Sequence, residues 1–326
     1  MASRVPLVFA GADYWDRTLP LIEGRVQPEG IELHWAVHYP GALFGRMIRG
    51  EFEAGEMSAS FLTMLIAQGI DTLVGLPLFT SRAFRHAHAF VRAGAGIDEP
   101  GQIKGKRVGV PDYPMTSAVW VRGFLKDDYG VQAGDLDWFQ GGEDAAYNER
   151  VPWDRPAHIK LTNATAPIVE LLLKGELDAI TGPSLPRSLA NNPDVRPLIP
   201  DAERAEKDYY ARTGIFPMTH MVVMRRDVYQ RHRWMAVNLM HAFQKAKQIG
   251  WDQLRGHQSS NMLPWMPGYI SGVTSIFKGH PYKDGFEANL KPLEALTRYS
   301  YEQGLSKRRV DPEEIFAPET LKVVLD

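Results

Sequence analysis

Thr72-Leu-Val-Gly-Leu-Pro-Leu-Phe79 is a continuous apolar run, and the polar stretch Thr80-Ser-Arg-Ala-Phe-Arg-His86 follows it directly. Apolar runs of this length are typical of strands that are buried on both faces of a parallel sheet. The polar stretch leads into a second β-rich run, Ala87–Arg92. This order of strand, polar loop and strand indicates that the chain crosses here from one α/β unit into another.

Around this stretch, short β-rich runs alternate with segments of helical spacing. The predicted strands are Leu7–Ala10, Ile31–His38, Thr72–Phe79, Ala87–Arg92, Arg107–Val110, Ala179–Thr181 and His220–Arg225. The predicted helices are Gly41–Arg49, Ser60–Gln68, Thr116–Asp128, Ala166–Lys174, Val228–Gly250 and Phe286–Gln303, with a break at Pro264, Pro267 and Gly268. The alternation predicts an α/β fold with largely parallel sheets.

A second crossing is indicated where Gly214-Ile-Phe-Pro-Met-Thr-His220 leads into the apolar run Met221-Val-Val-Met224. Crossings at 81–92 and 209–223 predict a discontinuous first domain, residues 1–89 with 211–326, and a second domain of residues 90–210. A chain of 326 residues has the length expected of two domains. This layout places a ligand cleft between two lobes and makes the crossings a hinge. A single domain with a long insertion is the alternative.

Composition excludes several classes of protein. The chain carries 37 Lys and Arg against 39 Asp and Glu, so it lacks the basic excess with which proteins hold a nucleic-acid backbone. Because cysteine is absent, disulfides, thiolate metal sites and a cysteine nucleophile are excluded. No apolar run approaches the roughly 18 residues of a membrane span, and the run Val5–Ala10 is too short for a secretory signal. We therefore expect a cytoplasmic protein without nucleic-acid or membrane partners.

The densest polar cluster contains Ser81, Arg82, Arg85 and His86. Ligands of open parallel sheets bind beyond the carboxyl ends of the strands, which is where this cluster falls. Two neighbouring arginines are suited to holding carboxylates or phosphates, and a histidine exchanges protons near neutral pH. The alternative is a solvated basic loop.

Other polar groups also follow predicted strands. Glu56 and Ser58 end a short strand, where desolvation raises the pKa of a carboxyl group and suits it to proton transfer. Thr116 is the predicted N-cap of a helix, whose free N–H groups and dipole favour a carboxylate. Arg17 follows the first strand and lies at the same rim.

Two histidine pairs have the spacing of shared metal ligands. His86 and His88 would face one side of a strand, and His34 and His38 form a looser pair. Neither pair has carboxylates at a convincing spacing, so we expect no metal. The sequence also lacks the Walker, Rossmann and Gly-x-Ser-x-Gly motifs, which argues against nucleotide, nicotinamide and α/β-hydrolase chemistry.

The motifs resemble those of the 4,5-dihydroxyphthalate decarboxylase family of aromatic-degrading bacteria over nearly the whole chain. The stretches that carry the resemblance are Tyr14-Trp-Asp-Arg17, Pro20-Leu-Ile-Glu-Gly24, Glu56-Met-Ser58, Pro77-Leu-Phe-Thr-Ser-Arg-Ala-Phe-Arg-His86, Lys106-Arg-Val-Gly-Val-Pro-Asp-Tyr113, Thr116-Ser-Ala-Val-Trp-Val-Arg-Gly123, Gly214-Ile-Phe-Pro-Met-Thr-His220, Pro264-Trp265 and Tyr299-Ser-Tyr-Glu-Gln-Gly-Leu305. The resemblance implies the type II periplasmic-binding-protein fold, with two α/β lobes around a cleft. This agrees with the two crossings.

The resemblance also implies a reaction, the decarboxylation of 4,5-dihydroxyphthalate to protocatechuate and CO₂. No cofactor is expected, because the ring itself accepts the electrons. In this interpretation Arg82, Arg85, Ser81 and the helix start at Thr116 hold the carboxylates, and His86 protonates the ring. Glu56 or His220 takes the phenol proton, and the two proton-transfer roles are interchangeable. The remaining expected pocket residues are Ser58, Arg17, Tyr113, Trp120 and Arg122, although Trp120 fits a core position equally well.

Two other functions fit the same fold. A solute-binding protein would capture a small carboxylate without catalysis, although the apparent lack of a signal sequence argues against it. A cytoplasmic regulator that binds an effector would need a DNA-binding region, and no helix-turn-helix region is evident. The expected partner of the decarboxylase is a small aromatic carboxylate substrate, and that of the solute-binding protein is a small carboxylate. A homo-oligomer is compatible with the sequence.

Overall fold

The computed structural model describes residues 4–141, 151–182, 189, 191–256 and 263–325. The strands in this part of the chain are β1 (Val5–Gly11), β2 (Ile31–Val37), β3 (Ala54–Ser58), β4 (Leu73–Arg82), β5 (Ala89–Arg92), β6 (Arg107–Val110), β7 (Asp137–Gln140), β8 (Lys160–Asn163), β9 (Ala179–Thr181), β10 (Val195–Pro197) and β11 (Met218–Arg225). They form two sheets. The first has the order β2-β1-β3-β11-β4, and the second has the order β10-β5-β9-β6-β7-β8.

Helices cover the sheets and connect their strands. They are α1 (Leu19–Ile22), α2 (Ala42–Ile48), α3 (Ala59–Ala67), α4 (Thr116–Tyr129), α5 (Ile168–Leu173), α6 (Ala202–Thr213), α7 (Arg226–Arg231), α8 (Trp234–Arg255), α9 (Met266–Phe277) and α10 (Leu290–Glu302). Within the described residues, no helix is both long and apolar enough to cross a membrane. The α/β fold expected from the sequence is therefore present.

Both sheets are mixed, whereas the sequence predicts largely parallel ones. In the first sheet β1 runs parallel to β2 and β3, but β11 runs antiparallel to both β3 and β4. In the second sheet β6 is parallel to β7 and β9, while β5 is antiparallel to β9. The strand that causes the difference in the first sheet is β11, which returns from the second sheet and lies between β3 and β4.

The two connections between the sheets lie side by side. Arg82, the last residue of β4, pairs with Met218, the first residue of β11, and the Ala83 N–H donates to the Pro217 carbonyl at 3.1 Å. The chain therefore leaves the first sheet and re-enters it at neighbouring points. The domain boundaries near residues 89 and 210 remain predictions.

Two stretches of helix differ from the sequence expectation. The predicted helix Val228–Gly250 is two helices, α7 and α8, which are separated at His232 and Arg233. The sequence predicts that Pro267 and Gly268 interrupt the helical pattern, but they lie in the first turn of α9. Proline is tolerated at this position because the first N–H groups of a helix have no partner within the helix.

One face of the first sheet is covered by α8. This helix buries Met235, Leu239 and Phe243 at intervals of one turn, against sheet residues such as Leu7 and Val222. The regular spacing gives α8 a single apolar stripe, as expected of a helix on a sheet. Elsewhere on the first sheet, α3 and α4 contact β11, and α10 packs against α3 and α4.

The close approach of α8 to the loop after β1 gives a test of this packing. A Cβ on Gly250 would lie 1.9 Å from the Asp16 carbonyl oxygen, whereas Gly272 in α9 has no atom within 4 Å of the same position. Alanine is favoured over glycine in a helix by about 1 kcal/mol, but overpacking costs about 1–3 kcal/mol. Gly250→Ala should therefore lower the free energy of unfolding, and the matched control Gly272→Ala should leave it unchanged or raise it. Chemical denaturation measures both, and a Gly250→Ala protein as stable as the control would contradict the packing.

Candidate active site

A cavity of about 260 Å³ lies between the ends of the first-sheet strands and the start of α4. Side chains with apolar, hydroxyl and charged groups all line it. They are Tyr14, Pro40, Phe44, Ser58, Phe61, Ser81, Arg85, Met115, Thr116, Ser117, Thr219 and His220. The cavity thus combines aromatic walls with hydrogen-bonding groups, as sites for small aromatic ligands do.

Three of these residues form a row across the sheet. His220 on β11 pairs with Ser58 on β3 and with Ser81 on β4. The pairing of β11 with β4 shifts register on both sides of His220. Such irregularities re-aim a side chain and are common beside active sites. His220 is therefore the middle member of a polar row at one side of the cavity.

The Glu56 carboxylate holds the His220 side chain in place through a hydrogen bond. Its carboxylate accepts hydrogen bonds from His220 Nδ1 at 2.8 Å, from the Tyr14 hydroxyl at 2.9 Å and from the Ala12 N–H at 3.1 Å. Glu56 is 1% exposed. Burial by itself raises the pKa of this carboxyl, but the hydrogen bonds and the charge of His220, together with the other two donors, bring it below its ordinary value. Glu56 is therefore an anion at neutral pH.

The Glu56 carboxylate fixes the orientation of the imidazole. Because Nδ1 donates to Glu56, Nε2 is the ring nitrogen that remains available to a ligand. The edge of the ring also packs against Phe44, with 5.1 Å between the ring centroids. A histidine held in this way by a buried carboxylate is suited to transferring protons.

Tyr14 stays protonated beside this pair. Burial and the neighbouring Glu56 charge both raise the pKa of its hydroxyl. The Arg17 guanidinium lies 3.9 Å from the centre of the Tyr14 ring and donates from Nε to the Thr80 carbonyl. Arg17 thus supports Tyr14 and is not among the described residues that line the cavity.

Hydroxyl groups flank the row at both ends. At one end, the Ser58 and Thr116 hydroxyl oxygens form a hydrogen bond of 2.9 Å. At the other end, the Thr219 hydroxyl donates to the Ser81 hydroxyl at 2.7 Å. The Ser117 hydroxyl is buried and has no hydrogen-bond partner within the part of the chain that the structure describes. The N-cap of α4 is Met115, which provides no side-chain cap for the first N–H groups of that helix. These donors at the start of α4 are arranged as in anion-binding helix termini.

Among the described residues that line the cavity, Arg85 carries the permanent positive charge. It is 6% exposed, and burial lowers the pKa of its guanidinium to about 10. The group therefore remains charged at neutral pH. A buried guanidinium that lines a cavity can hold a carboxylate through two parallel hydrogen bonds.

Arg82, expected to bind substrate, does not line this cavity. It donates to the Phe216 and Lys283 carbonyls at 2.9 and 3.0 Å and to the Asn289 side chain. Successive residues of a strand point to opposite faces, and β4 extends through Arg82. Ser81 therefore faces the cavity, while Arg82 ties β4 to the segment before α10.

Tyr113, Trp120 and Arg122 also belong to the core and not to the cavity wall. The Trp120 Nε1–H donates to the Met218 carbonyl at 2.7 Å. Arg122 donates to the Tyr113 carbonyl at 2.8 Å and to Gln303 Oε1 at 2.7 Å, and its guanidinium lies 3.8 Å from the centre of the Tyr113 ring. These residues hold α4 against α10 and β11.

His86, the expected ring-protonating acid, is placed elsewhere as well. It begins a short 3₁₀ turn, His86–His88, instead of a strand, and its ring stacks on Phe124 with 4.3 Å between centroids. Burial and the nearby Arg212 charge lower the pKa of His86 to about 4. Neither ring nitrogen has a hydrogen-bond partner among the described residues. His86 is thus a neutral packing residue at pH 7.

Because His86 and His88 lie in a turn, they do not share one face of a strand. The spacing argument for a shared metal site therefore no longer applies. Among the described residues, no group of three or more His, Asp or Glu side chains is arranged to hold a metal ion.

Sequence reasoning missed several cavity residues. Tyr14 was visible only as part of the loop after β1, and Thr219 only as the neighbour of His220. Phe44, Phe61 and Ser117 lie on helices, where a sequence pattern does not distinguish a cavity wall from a core. The signal for Tyr14 was its position beyond the carboxyl end of a strand.

Known proteins are similar to this chain in sequence, and solved structures are similar to it in fold. The chain is 33% identical over 326 residues to 4,5-dihydroxyphthalate decarboxylase of Comamonas testosteroni, with 98% of each chain covered. It is 36% identical over 199 residues to the protein of the same name from Pseudomonas putida, covering 60% of this chain and 77% of the relative. No protein-family model matches the chain.

Among solved structures, the periplasmic aliphatic sulphonate-binding protein SsuA of Escherichia coli is similar, with a TM-score of 0.56 and 14% sequence identity. The similarity covers 97% of this chain and 92% of SsuA. At this identity the likeness concerns the fold, and it confirms the two-lobed periplasmic-binding-protein architecture expected from the sequence.

Replacing His86 tests its assignment as a neutral packing residue. In the unfolded chain His86 takes up a proton near pH 6.5, but in the folded chain only near pH 4. Its contribution to stability is therefore complete above pH 6.5 and is lost as the pH falls towards 4, by about 3 kcal/mol at 1.36 kcal/mol per pKa unit. His86→Phe keeps the stack on Phe124 and does not titrate. The wild type should lose that much more stability than His86→Phe between pH 7 and pH 4.

The measurement is urea denaturation of both proteins across this pH range. His34→Gln is the control, because the His34 side chain is 55% exposed. Equal pH slopes for the wild type and His86→Phe would show that His86 is charged in the folded protein.

Proposed function

The chain belongs to the 4,5-dihydroxyphthalate decarboxylase family, and we propose that it converts 4,5-dihydroxyphthalate to protocatechuate and CO₂. The observation that carries this proposal is the Glu56–His220 pair, which lies at a cavity that also contains a buried guanidinium. The reaction needs a group that moves protons and a group that binds carboxylates. The cavity contains both.

The chemistry follows from the substrate. Each carboxylate is on a ring carbon that lies para to a hydroxyl group, and this hydroxyl pushes electron density onto that carbon. A proton then adds to the carbon, and the ring loses its aromaticity. The bond to the carboxylate breaks, its electron pair restores the aromatic ring, and CO₂ leaves. The phenol gives its proton to water and regains one afterwards, so one proton is consumed for each CO₂ released.

We assign the ring protonation to His220. Its Nε2 is the nitrogen available at the cavity, and the Glu56 anion at 2.8 Å provides a counter-charge whenever the ring carries a proton. Positioned acids of this kind contribute about 10²–10⁴-fold to a rate. Glu56 itself is not a cavity-lining residue, so in this proposal it is a positioning residue and not the phenol base.

The carboxylates are held by Arg85 and by neutral donors. Arg85 supplies the charge, and the Ser58–Thr116 and Ser81–Thr219 pairs supply hydroxyl groups. The uncapped start of α4 adds N–H groups and the positive end of a helix dipole. His86, Arg82, Tyr113, Trp120 and Arg122 have no part in this proposal, because their side chains lie outside the cavity wall.

Replacing His220 should separate catalysis from binding. His220→Asn keeps a donor for the Glu56 carboxylate but removes Nε2, so turnover should fall by about 10²–10⁴-fold while the affinity for the diacid changes little. Glu56→Gln keeps the size and removes the charge, and it should also reduce turnover. The measurements are CO₂ release and product formation, with calorimetry for binding and His34→Gln as the surface control. Normal turnover by His220→Asn would assign the proton to another group.

Chelation should leave the activity unchanged, because the aromatic ring accepts the electrons and the proposed steps need no metal. The protein is dialysed against a strong chelator, and CO₂ release from the diacid is compared before and after. If activity is lost and a single divalent ion restores it, the metal-independent route is wrong. A protein that binds the diacid without releasing CO₂ in either sample would instead be a solute-binding protein.

A further inference from the structure

The product of the proposed reaction raises a question of selectivity. Protocatechuate still carries a carboxylate para to a hydroxyl group. The same sequence of proton addition, bond cleavage and CO₂ loss would convert it to catechol. An enzyme that stops after one decarboxylation must therefore distinguish the carboxylate that leaves from the one that stays.

The cavity has two unlike positions for carboxylates. Arg85 follows β4, the strand that carries Ser81, by three residues, and its side chain lines the cavity. On the β3 side, Ser58 and Thr116 offer neutral hydroxyl groups. The other arginines of the predicted cluster and helix, Arg82 and Arg122, donate to carbonyl and amide oxygens away from the cavity. Among the described lining residues, the permanent positive charge thus comes from the segment that follows β4, whereas Ser58 and Thr116 at the end of β3 and the start of α4 are neutral.

The charge of the leaving carboxylate decides which position it takes. As CO₂ forms, this group loses its negative charge, so a guanidinium bound to it would stabilise the ground state more than the transition state and slow the reaction. The carboxylate that stays keeps its charge throughout. A guanidinium bound to that group stabilises both states equally and fixes the position of the ring.

Resting on the proposed function, we propose that Arg85 holds the carboxylate that is retained, and that the leaving carboxylate lies over His220 on the neutral side. Arg85 thereby limits the reaction to one decarboxylation. The product keeps its only carboxylate on Arg85, and the ring carbon that faces His220 now carries hydrogen. The remaining carboxylate is therefore held away from the proton donor.

The test compares ligands that differ by one carboxylate. Arg85→Gln removes the charge, Arg85→Lys keeps it without the bidentate geometry, and Arg204→Gln removes a surface charge whose side chain is 79% exposed. Calorimetry gives the Kd of protocatechuate and of catechol for each protein. Arg85→Gln should raise the Kd of protocatechuate by about 10–100-fold, the value of one charge-assisted hydrogen bond. The Kd of catechol should be unchanged, because catechol has no carboxylate.

Turnover supplies a second readout. At saturating protocatechuate the wild type and Arg204→Gln should release no CO₂, and Arg85→Gln should form catechol slowly. Arg85→Lys should weaken protocatechuate less than Arg85→Gln, and it replaces Arg85→Gln if that variant does not fold. Thermal melting checks the fold of each protein.

The outcomes separate this inference from the proposed function. A wild type that decarboxylates the diacid, together with an Arg85→Gln variant that binds protocatechuate normally, overturns the role of Arg85 alone. Conversion of protocatechuate to catechol by the wild type also overturns it. A wild type that binds the diacid but releases no CO₂ overturns the proposed function and the selectivity argument with it.

Discussion

The buried Glu56 carboxylate is the constraint on which the arrangement of the site depends. An anion that is 1% exposed is costly unless each oxygen has partners. Its partners come from distant parts of the chain, namely the Ala12 N–H and Tyr14 hydroxyl after β1 and His220 on β11. The carboxylate can be satisfied only if β1, β3 and β11 lie next to one another in the first sheet. The same contacts that stabilise the charge therefore hold together Glu56 and His220, the pair to which we assign proton transfer.

A second constraint concerns the arginine side chains, which differ in the groups that surround them. The side chains of Arg82 and Arg122 are buried, and each is held by oxygen atoms of the surrounding chain, so they join elements that are far apart in sequence. Arg17 packs on Tyr14. Arg85 is buried too, but it lines the cavity.

The sequence predicted the two-lobed architecture, most strands, and the residues Glu56, Ser58, Ser81, Arg85, Thr116 and His220 that the structure brings to or beside the cavity. It could not predict the antiparallel entry of β11, because strand direction depends on where the chain returns. It also misplaced His86, because a histidine has the same chemical character in a sequence whether or not its ring is buried. Adjacent residues such as Ser81 and Arg82 look like one cluster in a sequence, but the alternation of a strand places them on opposite faces.

The proposed chemistry places only two requirements on the binding-protein fold. Since the aromatic ring accepts the electrons, the protein has only to orient the substrate and move a proton. In this proposal the first sheet supplies the proton-moving pair, Glu56 and His220, and the start of α4, which follows β6 of the second sheet, supplies the donors for an anion. In the proposed reaction, the substrate therefore contacts both the His220 side chain and the start of α4.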